Sequence, residues 1–394
     1  MEPTIKQLVL KRFRSIPSER ITFDNPTIFV GRNGSGKSNL VSAFSFLADA
    51  MASPLQAVFD KAGGISTVRN RSSGRSYPPN LGLRVDFGRL NGKTVSGFYA
   101  FEVRALRNYG FSVVREQCSI GGAWFDRMGT KFTSNVGGMK PALDPASLSL
   151  PLVGGEAKFA PVLRALAAMR VYSIEPGKLR EMQDPDSGTS LKPDGGNVTS
   201  VLKEIERQSE GDFQRISEIL ATIVPNTKRV QVKKHGKNLS LEFTQEWGEK
   251  KRLKFEGFSM SDGTLRAIGL LAAVFQRPVP SLIAVEEPEA TIHPGALESV
   301  LDLLRHASKH MQVVITTHSP ELLDAKWITD SHLRIVEWTE GATRVAPVSD
   351  ATRKALHDHL MGAGELLRSN ALDPASLFDH EESLLQGDLF EDFA

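Results

Sequence analysis

The chain has 394 residues, with 48 Lys and Arg against 46 Asp and Glu, a formal charge of +2. That length leaves room for two or three structural units, and 40% hydrophobic with 24% charged residues excludes wholesale disorder. One cysteine, Cys118, excludes an intramolecular disulfide framework and a multi-cysteine zinc site, and no apolar run approaches the roughly 18 residues of a membrane span.

Charged Glu2, Lys6, Lys11 and Arg12 make the start of the chain unlike a signal peptide, so a cytoplasmic protein without a membrane partner is expected. Residues 5–10 and 21–23 read as short strands, and Thr27–Val30 is a β-rich run ending at Gly31. Apolar residues at 40, 41, 44 and 47 predict a helix over 37–50. From 81 to 120 the pattern alternates and breaks at Gly88, Asn91-Gly92 and Asn108-Tyr109-Gly110, which predicts an antiparallel layer with hairpins. Stretches 121–156 and 184–197, rich in Gly and Pro, read as loops. Residues 198–224 read as two short helices split at Gly211, and 230–234 and 239–245 as strands around a turn at 235–238. Net charge hides two local imbalances. Residues 228–254 hold nine basic and three acidic side chains, and 379–394 hold six acids with no Lys or Arg. Both read first as solvated surface, with DNA as the alternative contact of 228–254.

The stretch Gly31-Arg32-Asn33-Gly34-Ser35-Gly36-Lys37-Ser38 fits G-x-x-x-x-G-K-[ST] between a predicted strand and a predicted helix. Glycines let the backbone from Asn33 to Gly36 curl so that its N–H groups converge on phosphate oxygens, and the helix start adds its positive end. In that chemistry Lys37 reaches the β- and γ-phosphates and the Ser38 hydroxyl ligates Mg2+. A nucleotide site is therefore expected. Arg14 and Arg32 lie near enough in sequence to touch a nucleotide, and equally read as surface arginines.

Residues 282–289 read Leu-Ile-Ala-Val-Glu-Glu-Pro-Glu, an apolar strand delivering carboxylates at its C-terminal end, where open α/β sheets bind ligands. Glu286 is assigned to the metal and Glu287 to the attacking water. A second β-rich run, 313–317, ends at His318, and the helix-like 295–307 between the two makes a βαβ unit that would bring His318 beside Glu287. Upstream, Ser261 and Gly263 open the apolar run 265–275 and offer a second phosphate-binding surface at a helix start.

Taken together these motifs resemble ABC-type ATPases of the SMC/RecF/OLD group, above all small OLD-like heads. Phe13-Arg14-Ser15 looks like that group's first strand, Gly31–Ser38 with Asn39 like its Walker A loop, and Leu282 to Glu287 like its Walker B strand. Ser261-Asp262-Gly263-Thr264 looks like a divergent signature, Glu289 to Pro294 like the D-loop and His318 like the switch histidine. There are departures: Glu286 replaces the more usual Asp, His293 stands at a D-loop Asp position, and Glu175 stands where a Q-loop glutamine is sought.

The resemblance implies an α/β fold: a P-loop head with a mixed sheet, an antiparallel β layer and a small inserted lobe. It implies a discontinuous core of 1–50 plus 255–345, an inserted β-rich lobe at 51–254, and a helical, acidic tail at 346–394. It also implies ATP and Mg2+, with Lys37, Ser38, Glu286, Glu287 and His318 of one protomer facing Ser261 and Gly263 of another in a homodimer or larger even-numbered assembly. The interval 51–257 lacks the heptads of an SMC arm. After His318 only 76 residues remain and no Asp-x-Asp strand end appears, so an OLD-type nuclease domain is not expected. Asp184-Pro185-Asp186 reads as a turn. The expected role is a sensor or motor ATPase in DNA maintenance or antiphage defence with a separate effector, with a nucleotide-gated clamp on nucleic acid or protein as the alternative. A transporter subunit fits the motifs worst.

Overall fold

Alternating apolar residues build the first strands: Leu8 and Leu10 of Ile5–Phe13 are fully buried, and register pairs Leu8 with Ile21 on one side and Val85 on the other. The computed structural model describes residues 3–70, 79–107, 110–248, 251–375 and 389–393. These form two compact units, one of 1–169, 329–361 and 369–394, the other of 170–328 and 362–368.

The first unit holds a seven-stranded antiparallel sheet in the order Lys131–Ser134, Ala123–Met128, Phe111–Ile120, Gly97–Ala105, Asn80–Phe87, Ile5–Phe13, Ile16–Thr22. The antiparallel layer predicted for 81–120 is thus present. The loop expected over 121–156 is a correction, since it begins with two further strands. Its glycines make tight turns: Gly121 and Gly122, both at positive φ, join Ile120 to its register partner Ala123, and Gly129 does the same before Lys131. A buried polar knot then fastens residues 144–150 to this sheet. Glu116 accepts from Tyr99 Oη at 2.9 Å and from the N–H of Leu150 at 2.8 Å, while Arg127 donates to the carbonyls of Asp144 and Gly129.

Helix Lys37–Ala52 lies on the inner face of the sheet. Phe46 meets Phe13 edge-on at 5.7 Å and stacks over Phe101 at 6.5 Å, and Phe44 meets Phe23 at 5.8 Å. Thr27–Val30 is buried along its whole length, as a parallel strand covered on both faces must be. It pairs in parallel with Leu333–Thr339, which turns through Glu340-Gly341 into the antiparallel Ala342–Ala346.

In the second unit Leu282–Glu286 runs parallel to Gln312–Thr317, with Glu286 opposite Thr316, and Pro294–Ala307 is the connecting helix of this βαβ unit. Helices Val198–Gln208 and Glu210–Ile223 break at Ser209 rather than Gly211. The Ser209 hydroxyl accepts from Asp212 N at 3.1 Å, and that cap, not a glycine, ends one helix and starts the next. The predicted hairpin around 235–238 is present and gains a third strand, Lys251–Glu256, whose charge density concealed it in the sequence.

Beyond residue 346 the described residues form two short helices, Asp350–His357 in the first unit and Ala363–Arg368 in the second. The acids Asp379, Glu381, Glu382 and Asp388 lie outside the described residues. Among those described, no helix is long and apolar enough to cross a membrane.

Candidate functional site

Strand Thr27–Val30 delivers the glycine-rich loop, and two of its glycines are fixed by space. A Cβ on Gly31 would lie 2.2 Å from the Val336 carbonyl oxygen, and one on Gly36 would lie 1.9 Å from Thr343 Oγ1. Gly34 and Gly36 also sit at φ +80° and +100°, where a side chain is strained. Gly36 caps helix Lys37–Ala52, and the Lys37 ammonium folds back to donate to the carbonyls of Gly31 at 2.7 Å and Arg32 at 2.9 Å. Asn33, Gly34 and Ser38 are exposed, whereas Lys37 and Ser35 are buried. Buried Ser35 Oγ has no hydrogen-bond partner, an orphaned polar atom of the loop. A helix start, a hydroxyl and an ammonium form a donor set that fits a polyphosphate.

A polar chain ties this loop to the sheet. Asn39 Nδ2 donates to Ser15 Oγ at 2.7 Å, Ser15 Oγ is 2.7 Å from Thr343 Oγ1, and Thr343 Oγ1 donates to the Ser35 carbonyl at 3.1 Å. Beside the chain opens a cavity of about 300 Å3 lined by Arg14, Ser15, Asn39, Asn70 and Trp338 among others. Asn70 holds its rim by donating to the Arg14 carbonyl at 2.7 Å, and Arg14 N donates back to Val68. Arg14 itself is at φ +49°, and burial lowers the pKa of its guanidinium. Trp338 leaves 53% of its surface exposed. Sequence reasoning missed Asn70 and Trp338; an exposed tryptophan one residue before a Thr-Glu-Gly turn was the available signal. Arg32 points elsewhere, donating to Asn370 Oδ1 at 2.9 Å.

The second unit holds the carboxylates. Glu287 follows strand Leu282–Glu286 with φ +44°, and its N–H donates to the Thr316 carbonyl at 3.0 Å. Its Oε1 lies 3.0 Å from His318 Nδ1, with the two side chains 37% and 43% exposed. Glu289, by contrast, is turned inward. Thr317 Oγ1 donates to its Oε1 at 2.5 Å, and burial raises its pKa, which suits a clamp on the loop better than a charged ligand. Arg266 reaches the Glu287 carbonyl at 3.2 Å and lies in the field of Glu289, Glu287 and Asp262.

Ser261 caps helix Asp262–Phe275 by accepting from Thr264 N at 3.3 Å. A Cβ on Gly263 would lie 2.6 Å from the Thr291 carbonyl oxygen, so the loop after Glu287 passes directly over this helix start. Arg180 fastens the same stretch through Asp262 at 2.5 Å and the Met260 carbonyl at 3.0 Å. Neither Arg180 nor Arg266 carried a sequence signal. His293 caps helix Pro294–Ala307, its Nδ1 accepting from Gly295 N at 3.1 Å. The predicted residues therefore form two groups: Asn33 to Asn39 in the first unit, and Ser261, Gly263, Glu286, Glu287 and His318 in the second.

Among the described residues no group of three or more His, Cys, Asp or Glu would hold a metal alone. In the basic segment 228–254, Lys233 lies 3.0 Å from Glu256, Lys254 lies 2.8 Å from Glu242, and Arg252 lies 3.2 Å from Glu246. Glu242 and Glu246 are among the segment's own three acids, so of these pairs only the one with Glu256 lowers the local charge excess; Lys250 lies outside the described residues.

Comparison with known proteins follows the same lines. A family model described as "AAA domain, putative AbiEii toxin, Type IV TA system" matches residues 27–116 and 183–324, more than half of the chain. The Old nuclease of Escherichia phage P2 is 20% identical over 417 residues, covering 98% of this chain and 68% of that protein. Among solved structures, an SMC head bound to the C-terminal winged-helix domain of ScpA aligns with a TM-score of 0.56 at 17% identity, covering 89% of this chain and 99% of the other. A second, the Smc head with an extended coiled coil bound to the C-terminal domain of ScpA from Pyrococcus furiosus, gives 0.55 at 15% identity over 91% and 99% of the two chains. The fold is that of the SMC-type, ABC-class ATPase head.

Proposed function

Because the chain belongs to this AAA-domain family and has the head fold of SMC-like ABC ATPases, we propose that it binds ATP and hydrolyses it to ADP and phosphate. The observation that carries the reading is the Glu287–His318 pair, 3.0 Å apart at the ends of adjacent parallel strands, with Glu287 held in a left-handed backbone conformation. Asn33 to Gly36 cradle the phosphates through main-chain N–H groups, and Lys37 exchanges its two carbonyl partners for the β- and γ-phosphate oxygens. The nucleoside occupies the cavity beside Arg14, Asn70 and Trp338, with the indole offering a face to the base. Ser38 and Glu286 hold Mg2+, which neutralises charge on the phosphates when bound. Glu287 takes the proton of the attacking water, and His318 orients Glu287 and the γ-phosphate.

Ser261 and Gly263 complete the site across a head-to-head dimer, where the helix start of Asp262–Phe275 faces the γ-phosphate held by the other copy. ATP then closes the dimer and hydrolysis opens it, so the protein acts as a sensor or motor for a separate effector, in DNA maintenance or in defence against phage. The test is mass by light scattering on Glu287→Gln with and without ATP and Mg2+. A monomer that doubles in mass only with ATP is expected. A mass unchanged by ATP would overturn the dimer reading, and full turnover in the same variant would overturn the assignment of Glu287.

A further inference from the structure

The C-terminal residues Leu389 to Phe393 lie on the outer face of the seven-stranded sheet, in a seat whose parts are already in place. Leu389 is buried with Val9, Phe98 and Ala100, and it fills the hole left by a missing side chain: a Cβ on Gly82 would lie 2.2 Å from Leu389 Cδ1. Phe393 slides between two rings, stacked on Trp124 at 4.8 Å and 15° and on Phe98 at 6.2 Å and 16°. The Arg84 guanidinium covers Phe98 at 3.9 Å and also pairs with Glu391 at 2.6 Å, while Arg115 covers Phe390 at 4.8 Å. Gln117 grips the main chain at both groups of one residue, donating to the Glu391 carbonyl at 2.8 Å and accepting from its N–H at 2.9 Å. Both arginines are oriented by sheet carboxylates, Arg84 by Asp86 at 2.7 Å and Arg115 by Asp126 at 3.0 Å.

These contacts read side-chain chemistry at four positions, Leu389, Phe390, Glu391 and Phe393, and the main chain at Glu391 as well, which is how short linear motifs are recognised. We infer that this sheet face is a peptide-recognition site for an acidic peptide with two phenylalanines three residues apart, and that the chain's own Leu389 to Phe393 is its tethered, exchangeable occupant. Thirteen residues of sequence, 376–388, separate Leu389 from Ala375. The inference stands apart from the nucleotide chemistry, since none of its residues lines the phosphate loop. The Leu-Phe-acid triplet, though not the second phenylalanine, recurs at Leu377-Phe378-Asp379. A partner protein bearing such a segment competes with the tail. Local tethering at roughly millimolar effective concentration keeps the site closed to weak competitors.

The experiment uses the full-length chain and a fluorescein-labelled peptide of residues 387–394, read by polarisation. In Leu389→Asp with Phe393→Asp the tail leaves its seat, and the peptide is expected to bind with a Kd on the order of 10 μM, about 100-fold tighter than to the wild-type chain, whose own tail competes. Adding Arg115→Glu to that background is expected to weaken binding at least tenfold. Phe393→Ala alone, a milder change, guards against misfolding and is expected to give an intermediate affinity. Equal affinity of the peptide for wild-type and undocked chains overturns the inference, as does no binding to either undocked variant up to millimolar peptide. In both cases the tail is a fixed part of the sheet.

Discussion

Replacing Glu287 by glycine separates the backbone's demands from the chemistry. Glu287 stands at φ +44°, a region that costs a residue with a side chain about 1–2 kcal/mol. Its main chain is held on both sides, the N–H by Thr316 at 3.0 Å and the carbonyl by Arg266 at 3.2 Å and Ala290 at 3.0 Å. The conformation therefore persists without the side chain. Glycine relieves the strain but adds about 0.5–1 kcal/mol of backbone entropy to the unfolded state. It also loses the contact with His318, worth about 0–1 kcal/mol for side chains 37% and 43% exposed. These opposing contributions cancel to within about 1 kcal/mol, which for a chain of this size moves the melting point by roughly 1 °C. Turnover, in contrast, falls by a factor on the order of 100 to 10,000 if Glu287 takes the proton. Thermal melts and phosphate release on one preparation test both halves. A Glu287→Gly variant that turns over within threefold of wild type refutes the base assignment. A loss of more than about 5 °C refutes the claim that main-chain partners alone fix the loop.

Lys37→Ala should weaken ATP binding at least about 100-fold by calorimetry, because the cation is lost where charge-assisted contacts to phosphate are strongest; an unchanged affinity would displace the phosphates from this loop. Trp338→Ala should weaken ATP about tenfold and leave inorganic triphosphate unaffected, since stacking serves only the base; equal losses for both ligands would empty the cavity of the nucleoside. Burial lifts the Glu19 carboxyl to about 7 from 4.5, so the fold retains a proton that the unfolded chain has released, and stability falls by about 3 kcal/mol as pH rises through that window. Glu19→Gln should remove that slope, gaining roughly 4 °C on wild type between pH 4.5 and pH 8; parallel melting curves across pH would refute it.

Legibility in the sequence tracked how local the physical cause was. The phosphate loop was readable because a short run of eight residues, Gly31 to Ser38, specifies it, with a short β-rich run before it and a period of 3.6 in the helix after it. Glu287 and His318 were readable as a pair because a βαβ unit has one favoured hand. Strands Ala123–Met128 and Lys131–Ser134 were hidden by Gly121, Gly122 and Gly129, which in composition resemble loop residues but act as hairpin turns. Strand Lys251–Glu256 was hidden by its charges, which only its neighbours neutralise. Asn70 and Arg180 were invisible for another reason. Each reaches its place through a contact to residues far along the chain, Arg14 for the one and Met260 and Asp262 for the other, and no spacing rule encodes such a meeting.

The phosphate loop draws its shape from outside itself. A Gly-rich segment free in solution visits many conformations, and freezing five or six residues would cost about 1–2 kcal/mol each at the moment of binding. Here that ordering has been completed in the fold. Thr343 occupies the space a side chain on Gly36 would need and donates to the Ser35 carbonyl, and Ser15 and Asn39 extend the same chain of hydrogen bonds to the first strand and the helix. Lys37 meanwhile donates to two carbonyls of the loop, those of Gly31 and Arg32. A phosphate entering this loop meets a backbone already ordered and displaces contacts that the loop makes to itself, among them those of the Lys37 ammonium and of the Ser35 N–H to the Arg32 carbonyl at 3.2 Å. The strand that supplies Thr343 also supplies the Val345 N–H that Glu19 accepts at 3.3 Å. Ionisation of one buried carboxyl, outside the motif, thereby bears on the part of the sheet that holds the motif in shape.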